Sequence, residues 1–221
     1  MKSLIIGASR GIGLELAKQL DLAGCQVLAT ARDASGLKTL EQYGVTPIAL
    51  DVSQTLSMYK FKDNLQGQIF DLIVYVAGVF GPKTDAKEGV EIEDFDAVMH
   101  TNVLGAMQII STLAPQVTPQ TGKMVFMSSL MASIELTNSS STWVYKASKA
   151  ALNMCVKSAS SSYPNICMLS MSPGWVKTDM GGEFAPLTPS ESVKGILQTI
   201  AQTSLVDTGR FLNYLNTKLP Y

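Results

Sequence analysis

Tyr145 and Lys149 stand four residues apart, about one turn of a helix, so a phenol and an ammonium would share one face. Such a pair can pass a proton to or from a substrate oxygen if the phenol is made acidic enough. An unperturbed tyrosine titrates near ~10. Bringing it to neutrality takes roughly 4 kcal/mol, and one ammonium at about 4 Å supplies that much at an effective dielectric near 20. The expectation is a tyrosine whose pKa is lowered by its lysine. The same spacing recurs at Tyr214 and Lys218, in a short tail with no serine beside it. The context favours Tyr145. Its helix, expected over Trp143–Ser162, follows the apolar run KMVFMS at Lys123–Ser128, which ends in Ser128-Ser129. In open α/β sheets such strand ends line the ligand crevice.

The elements that must position this pair begin at the N-terminus. Ser3–Ile6 reads as a strand, Gly7, Gly11 and Gly13 make a glycine turn, and a helix follows from about Gly11 with Ile12, Leu16 and Leu20 on one stripe and Ala17 beside it. The glycine spacing is GxxxGxG. It serves either a plain tight turn or the approach of a diphosphate to a helix start, where unpaired N–H groups and the positive dipole end favour anions. A second strand over Cys25–Thr30 makes a right-handed βαβ unit and a parallel sheet. Arg32 stands at its end, where the adenosine ribose lies in nucleotide-binding sheets. A carboxylate there would suit a 2′-hydroxyl, whereas arginine suits a 2′-phosphate. Arg32, with Arg10 in the glycine turn, is either a phosphate ligand or a surface arginine.

Further strands are expected over Val45–Leu50, Phe70–Val76, Ile166–Met171 and, at an edge, Arg210–Leu212. Helices are expected over Ser53–Leu65, over Glu91–Leu113, which stops ahead of Pro115, and from Thr188 to about Thr203. Phe70–Val76 is an unbroken apolar run of the kind buried on both faces of a sheet. Asp51, after the third strand, would accept from an adenine amino group or cap the next helix. Asn102 lies among Val98, Val103 and Leu104, where an amide needs partners. Thr188, Pro189 and Glu191 form a capping box at a helix start.

Composition narrows the class. The chain has 221 residues, 46% hydrophobic and 16% charged, which suits one well-buried α/β domain spanning 1–221. A net charge of −1 with no basic run argues against a nucleic-acid partner. Cys25, Cys155 and Cys167 are too few and too scattered for a disulfide framework, and with His100 the sole histidine no metal site is expected. The N-terminal apolar run is interrupted too early for a signal peptide, and no stretch reaches membrane-spanning length. A cytoplasmic protein is the expectation.

Taken together, GASRGIG at Gly7–Gly13, Asp51-Val52, TNVLG around Asn102, Ser128-Ser129, YKASK at Tyr145–Lys149 and SPGWVKTDM at Ser172–Met180 resemble the short-chain dehydrogenase/reductases over essentially the whole chain. PGWVKTDMGG and APLTPSESV resemble the C-factor and sniffer-type carbonyl reductase branch. The resemblance implies a Rossmann-like, doubly wound parallel sheet of about seven strands and an NADP(H)-dependent reduction of a ketone, aldehyde or quinone. It implies Tyr145 as acid/base, Lys149 as its partner, Ser129 on the substrate carbonyl and Asn102 supporting a proton relay through water. The cofactor would lie along Gly7, Ser9, Arg10, Gly11, Ile12, Gly13, Arg32, Asp51, Val52, Ala77, Gly78, Tyr145, Lys149, Pro173, Gly174, Val176 and Thr178, with Thr178 at the carboxamide. It also implies a homodimer or homotetramer paired through the Glu91–Leu113 and Trp143–Ser162 helices, although those faces could equally be intramolecular core. C-factor likeness admits a signalling protein with little turnover. Where the family usually has Asn-Asn-Ala-Gly, this chain has Tyr75-Val76-Ala77-Gly78, and weaker cofactor affinity is the expected cost. The short C-terminal part implies a small or open substrate lid.

Overall fold

Seven strands form one parallel sheet in the order β3-β2-β1-β4-β5-β6-β7. The computed structural model describes residues 1–221. The strands are β1 (Lys2–Ile6), β2 (Gln26–Ala31), β3 (Thr46–Ala49), β4 (Leu72–Tyr75), β5 (Lys123–Met127), β6 (Cys167–Ser172) and β7 (Arg210–Asn213). The order reverses beside β1: the chain winds outward to β3, returns to β4 on the other side of β1, and continues to β7. That switch opens a crevice above the carboxyl ends of β1 and β4.

Helices α1 (Gly11–Leu22), α2 (Ala34–Leu40), α3 (Thr55–Asn64), α4 (Ile92–Met99), α5 (Gly105–Leu113), α6 (Trp143–Ser162) and α7 (Pro189–Gln202) connect the strands. Strand periodicity sends alternate side chains to opposite faces. Leu4 and Ile6 join Phe61 of α3, Ile109 of α5 and Leu152 of α6 in one core, while Ile5 joins Leu16 of α1, Leu40 of α2 and Ile196 of α7 in the other. The doubly wound architecture follows from these two apolar layers, each closed by helices. No helix is long and apolar enough to cross a membrane.

Several boundaries differ from the sequence reading. The segment after Arg32 contains an unanticipated helix, α2. Its ASGLKTL sequence carries little helix propensity, and it is started instead by Asp33, whose side chain accepts from the Gly36 N–H at 2.8 Å. The third helix begins at Thr55 rather than Ser53. The expected long helix is α4 and α5 joined by a π-helical turn, His100–Leu104. Thr188 and Glu191 form the capping box of α7, as the sequence indicates.

Candidate active site

The glycine turn joins β1 to α1 across the mouth of the crevice. Gly11 takes φ +55°, a left-handed conformation. Gly13 allows α1 to sit on the turn itself, because a Cβ there would lie 2.1 Å from the Gly7 carbonyl oxygen. The helix start is left open: Arg10 occupies the N-cap without a side-chain cap bond, and no acidic residue lies in the first turn. An uncapped helix start under a backbone without side chains accommodates an anion.

A cleft of about 680 Å³ runs from this turn to Tyr145 and Lys149. Of the residues expected to hold a cofactor, Gly7, Ser9, Arg10, Gly11, Ile12, Arg32, Asp51, Val52, Ala77, Gly78, Tyr145, Lys149, Pro173 and Thr178 line it. Gly13, Gly174 and Val176 do not line it and act from behind. Gly13 abuts the turn, Gly174 packs against Leu187 and Tyr214, and Val176 is buried in a bridge to Leu187. The cleft also takes residues that the sequence did not single out, among them Thr30, Asp33, Lys177 and Asp179. Asp33 follows Arg32 and Lys177 and Asp179 flank Thr178, but no spacing signal marked them.

Charge at the cleft rim is arranged in pairs. Arg10 lies 3.1 Å from Asp179, joining the glycine turn to the loop after β6, and Arg32 lies 3.7 Å from Asp33. All four side chains are largely exposed, so neither pair contributes much to stability. Their guanidinium groups remain available to a phosphate. Asp51 accepts from the Ser53 N–H at 2.9 Å and the Ser53 hydroxyl at 2.7 Å. It therefore closes a turn and does not cap the next helix, whose N-cap is Gln54.

At the inner end, α6 presents Tyr145 and Lys149 to the end of β5. Both are almost fully buried. The Lys149 Nζ donates to the Met127 carbonyl at 2.8 Å and sits 5.8 Å from the Tyr145 ring centroid. Phe80 covers the same ring at a centroid distance of 4.6 Å. Burial holds the phenol up at about 12, opposed by a hydrogen bond from Ser129, and burial lowers Lys149 to about 8. The expected lowering of the tyrosine by its lysine is not present. The ammonium is spent on a carbonyl, and its own charged form is disfavoured by lost hydration. The phenol is thus held protonated, the state that donates.

Of the two serines, Ser129 lies beside Tyr145 but does not line the cleft, and its oxygen accepts from the Met131 N–H at 3.2 Å. Ser128 lines the cleft with a buried hydroxyl that has no protein partner. Asn102 is wholly buried behind Gly78. Its Oδ1 accepts from the Val79 N–H at 2.8 Å, and its Nδ2 donates to the Val79 carbonyl and the Ser148 hydroxyl, both at 2.9 Å. Both amide hydrogens are spent, so this side chain clamps the Val79 loop to α6 and does not itself face the cleft. A Cβ on Gly78 would lie 3.2 Å from the Asn102 Oδ1 and 3.4 Å from the Lys149 Nζ, which measures how closely these groups converge. No cluster of three or more His, Cys, Asp or Glu side chains could hold a metal.

The short chain dehydrogenase family model matches residues 2–187. Among curated proteins, the C-signal protein of Myxococcus xanthus is 32% identical over 167 residues, covering 74% of this chain and all of that protein. Among solved structures, a carbonyl reductase from Pseudomonas aeruginosa PAO1 in complex with NADP superimposes with a TM-score of 0.87 at 35% identity, over 100% of this chain and 99% of the other. The carbonyl reductase Sniffer of Drosophila melanogaster superimposes with a TM-score of 0.90 at 28% identity, with the same coverage. The chain belongs to the short-chain dehydrogenase/reductase family, in the branch that contains these carbonyl reductases and C-signal, and is an NAD(P)-dependent oxidoreductase.

Proposed function

We propose that this protein is an NADPH-dependent carbonyl reductase that converts a ketone, aldehyde or quinone to an alcohol. The observation that carries the reading is the convergence of a protonated phenol and a buried amine, with Ser129 beside the phenol, at the inner end of a cleft whose outer end is an uncapped helix start flanked by arginines. The residues present fit a dinucleotide. Gly11 and Ile12 would receive its diphosphate, Arg10 and Arg32 a 2′-phosphate, Asp51 and Val52 its adenine end, and Ala77, Gly78 and Thr178 its nicotinamide end. The NADP named with the Pseudomonas carbonyl reductase structure supports the same preference.

When bound, the reduced nicotinamide supplies the hydride to the carbonyl carbon. Tyr145 donates its phenolic proton to the carbonyl oxygen as negative charge grows there. Ser129 hydrogen-bonds that oxygen and holds it beside the phenol, an arrangement strongest when charge has developed. Lys149 replaces the proton on the phenolate and stabilises it. Asn102 fixes the relation between the Val79 loop and α6, so the phenol and amine keep their places.

Mixing the protein with NADPH and a panel of reactive ketones, aldehydes and quinones should lower the nicotinamide absorbance at a rate proportional to protein. A second reading rests on the similarity to C-signal over 74% of this chain: a nicotinamide-binding signalling protein with little turnover. Tight cofactor binding with no turnover across the panel would favour it and defeat the reductase. The reading further places the protein in the cytoplasm as a single domain without a nucleic-acid partner. Exposed Phe95 on α4, Leu104 in the π-turn, Met107 on α5 and Met154 on α6 support a homodimer or homotetramer.

A further inference from the structure

Tyr75 closes β4 with its ring buried against Phe126 and only 1% of its surface exposed. Strand alternation turns it away from the glycine turn and toward α5. Its hydroxyl donates to the Thr101 carbonyl at 2.6 Å. Thr101 lies inside the π-helical turn His100–Leu104, and the next residue is Asn102. A π-turn departs from the regular helical ladder and persists where outside contacts favour it.

The approach is built into the helix as well as the strand. Gly105 is the first residue of α5, and a Cβ there would lie 2.6 Å from the Tyr75 oxygen and 3.0 Å from the Val52 Cβ. Glycine is what lets the phenol reach the turn. Burial pushes Tyr75 far above the usual tyrosine range, so it remains a donor wherever the protein is folded.

We propose that Tyr75 is a positioning residue for Asn102: by holding the Thr101 carbonyl it fixes the π-turn from which Asn102 clamps Val79 and Ser148. The link runs from strand β4 through Thr101 to Asn102, and from there to the helix that bears Tyr145 and Lys149. Tyr75 touches no substrate or cofactor in this scheme. The kinetic part rests on the proposed reductase reading, whereas the structural part does not.

The test compares Tyr75→Phe, Asn102→Ala and the double variant in the full chain. Hydrogen exchange of the Val79 amide, which Asn102 holds, should quicken roughly tenfold in Tyr75→Phe. Turnover should fall about tenfold while KM and the cofactor Kd stay within about twofold, and the double variant should be no slower than Asn102→Ala alone. If Tyr75→Phe does not fold, Gly105→Ala, which puts a methyl against the same hydroxyl, should show the same pattern. Unchanged Val79 exchange, or losses that multiply in the double variant, would overturn the proposal. Should wild type reduce no carbonyl, the reductase reading fails, and Val79 exchange still decides the role of Tyr75.

Discussion

Lys149 donates to the Met127 carbonyl at 2.8 Å, anchoring its amine to the last residue of the strand that leads into Ser128 and Ser129. The amine is thereby fixed against the sheet, one helical turn from Tyr145, while burial makes its proton easier to lose. In the proposed reduction, a phenol held up at about 12 would be the donor and an amine held down at about 8 its replenisher.

This division gives a pH dependence. The lysine pKa is depressed, so its charged form is complete below about 8 and is lost as pH rises through that value, while the phenol stays protonated. The profile of kcat/KM for carbonyl reduction reports the free enzyme, and it should decline as pH rises above about 8. A flat profile from pH 7 to 10 would exclude Lys149 as the source of the replacement proton.

Replacing Tyr145 by Phe removes the donated proton and leaves the ring and its contact with Phe80. Turnover should fall by about a hundredfold or more, the range for loss of a general acid. The cofactor Kd, measured by nicotinamide fluorescence, should change by less than about twofold. Near-native turnover would show that another group protonates the oxygen.

Under the proposed NADPH preference, Arg32, which lines the cleft, would meet the 2′-phosphate. Arg32→Ala should weaken NADPH binding about tenfold, as expected for one charge-assisted contact at an exposed site, and leave NADH binding nearly unchanged. Equal losses for both cofactors would remove the phosphate role. Asp179 holds Arg10 at 3.1 Å, so Asp179→Asn should tighten NADPH binding modestly, by about two- to threefold.

Gly13→Ala places a methyl 2.1 Å from the Gly7 carbonyl oxygen, backbone that cannot yield without moving β1 or α1. A loss of more than ~2 kcal/mol in denaturant unfolding is expected. Gly24 has φ +77° but open space around it, so Gly24→Ala should cost only about 1 kcal/mol, from backbone strain alone.

The sequence by itself determined the sheet, the glycine turn and the partnership of Tyr145 with Lys149, because each is local: apolar runs of strand length, a left-handed turn, and helical spacing along one face. Fourteen of the seventeen residues that the family resemblance assigned to a cofactor do line the cleft. Tertiary structure alone decided the electrostatics and the supports. The tyrosine moved up rather than down because burial, which spacing does not reveal, outweighed the Ser129 hydrogen bond, while the ammonium is engaged by Met127. Asn102 spends its side chain on Val79 and Ser148, which are far from it in the chain. Tyr75 meets Thr101 across 26 positions, and Gly105 makes room for that meeting. Contacts between distant segments depend on how two layers of helices settle on a twisted sheet, and no local pattern encodes them.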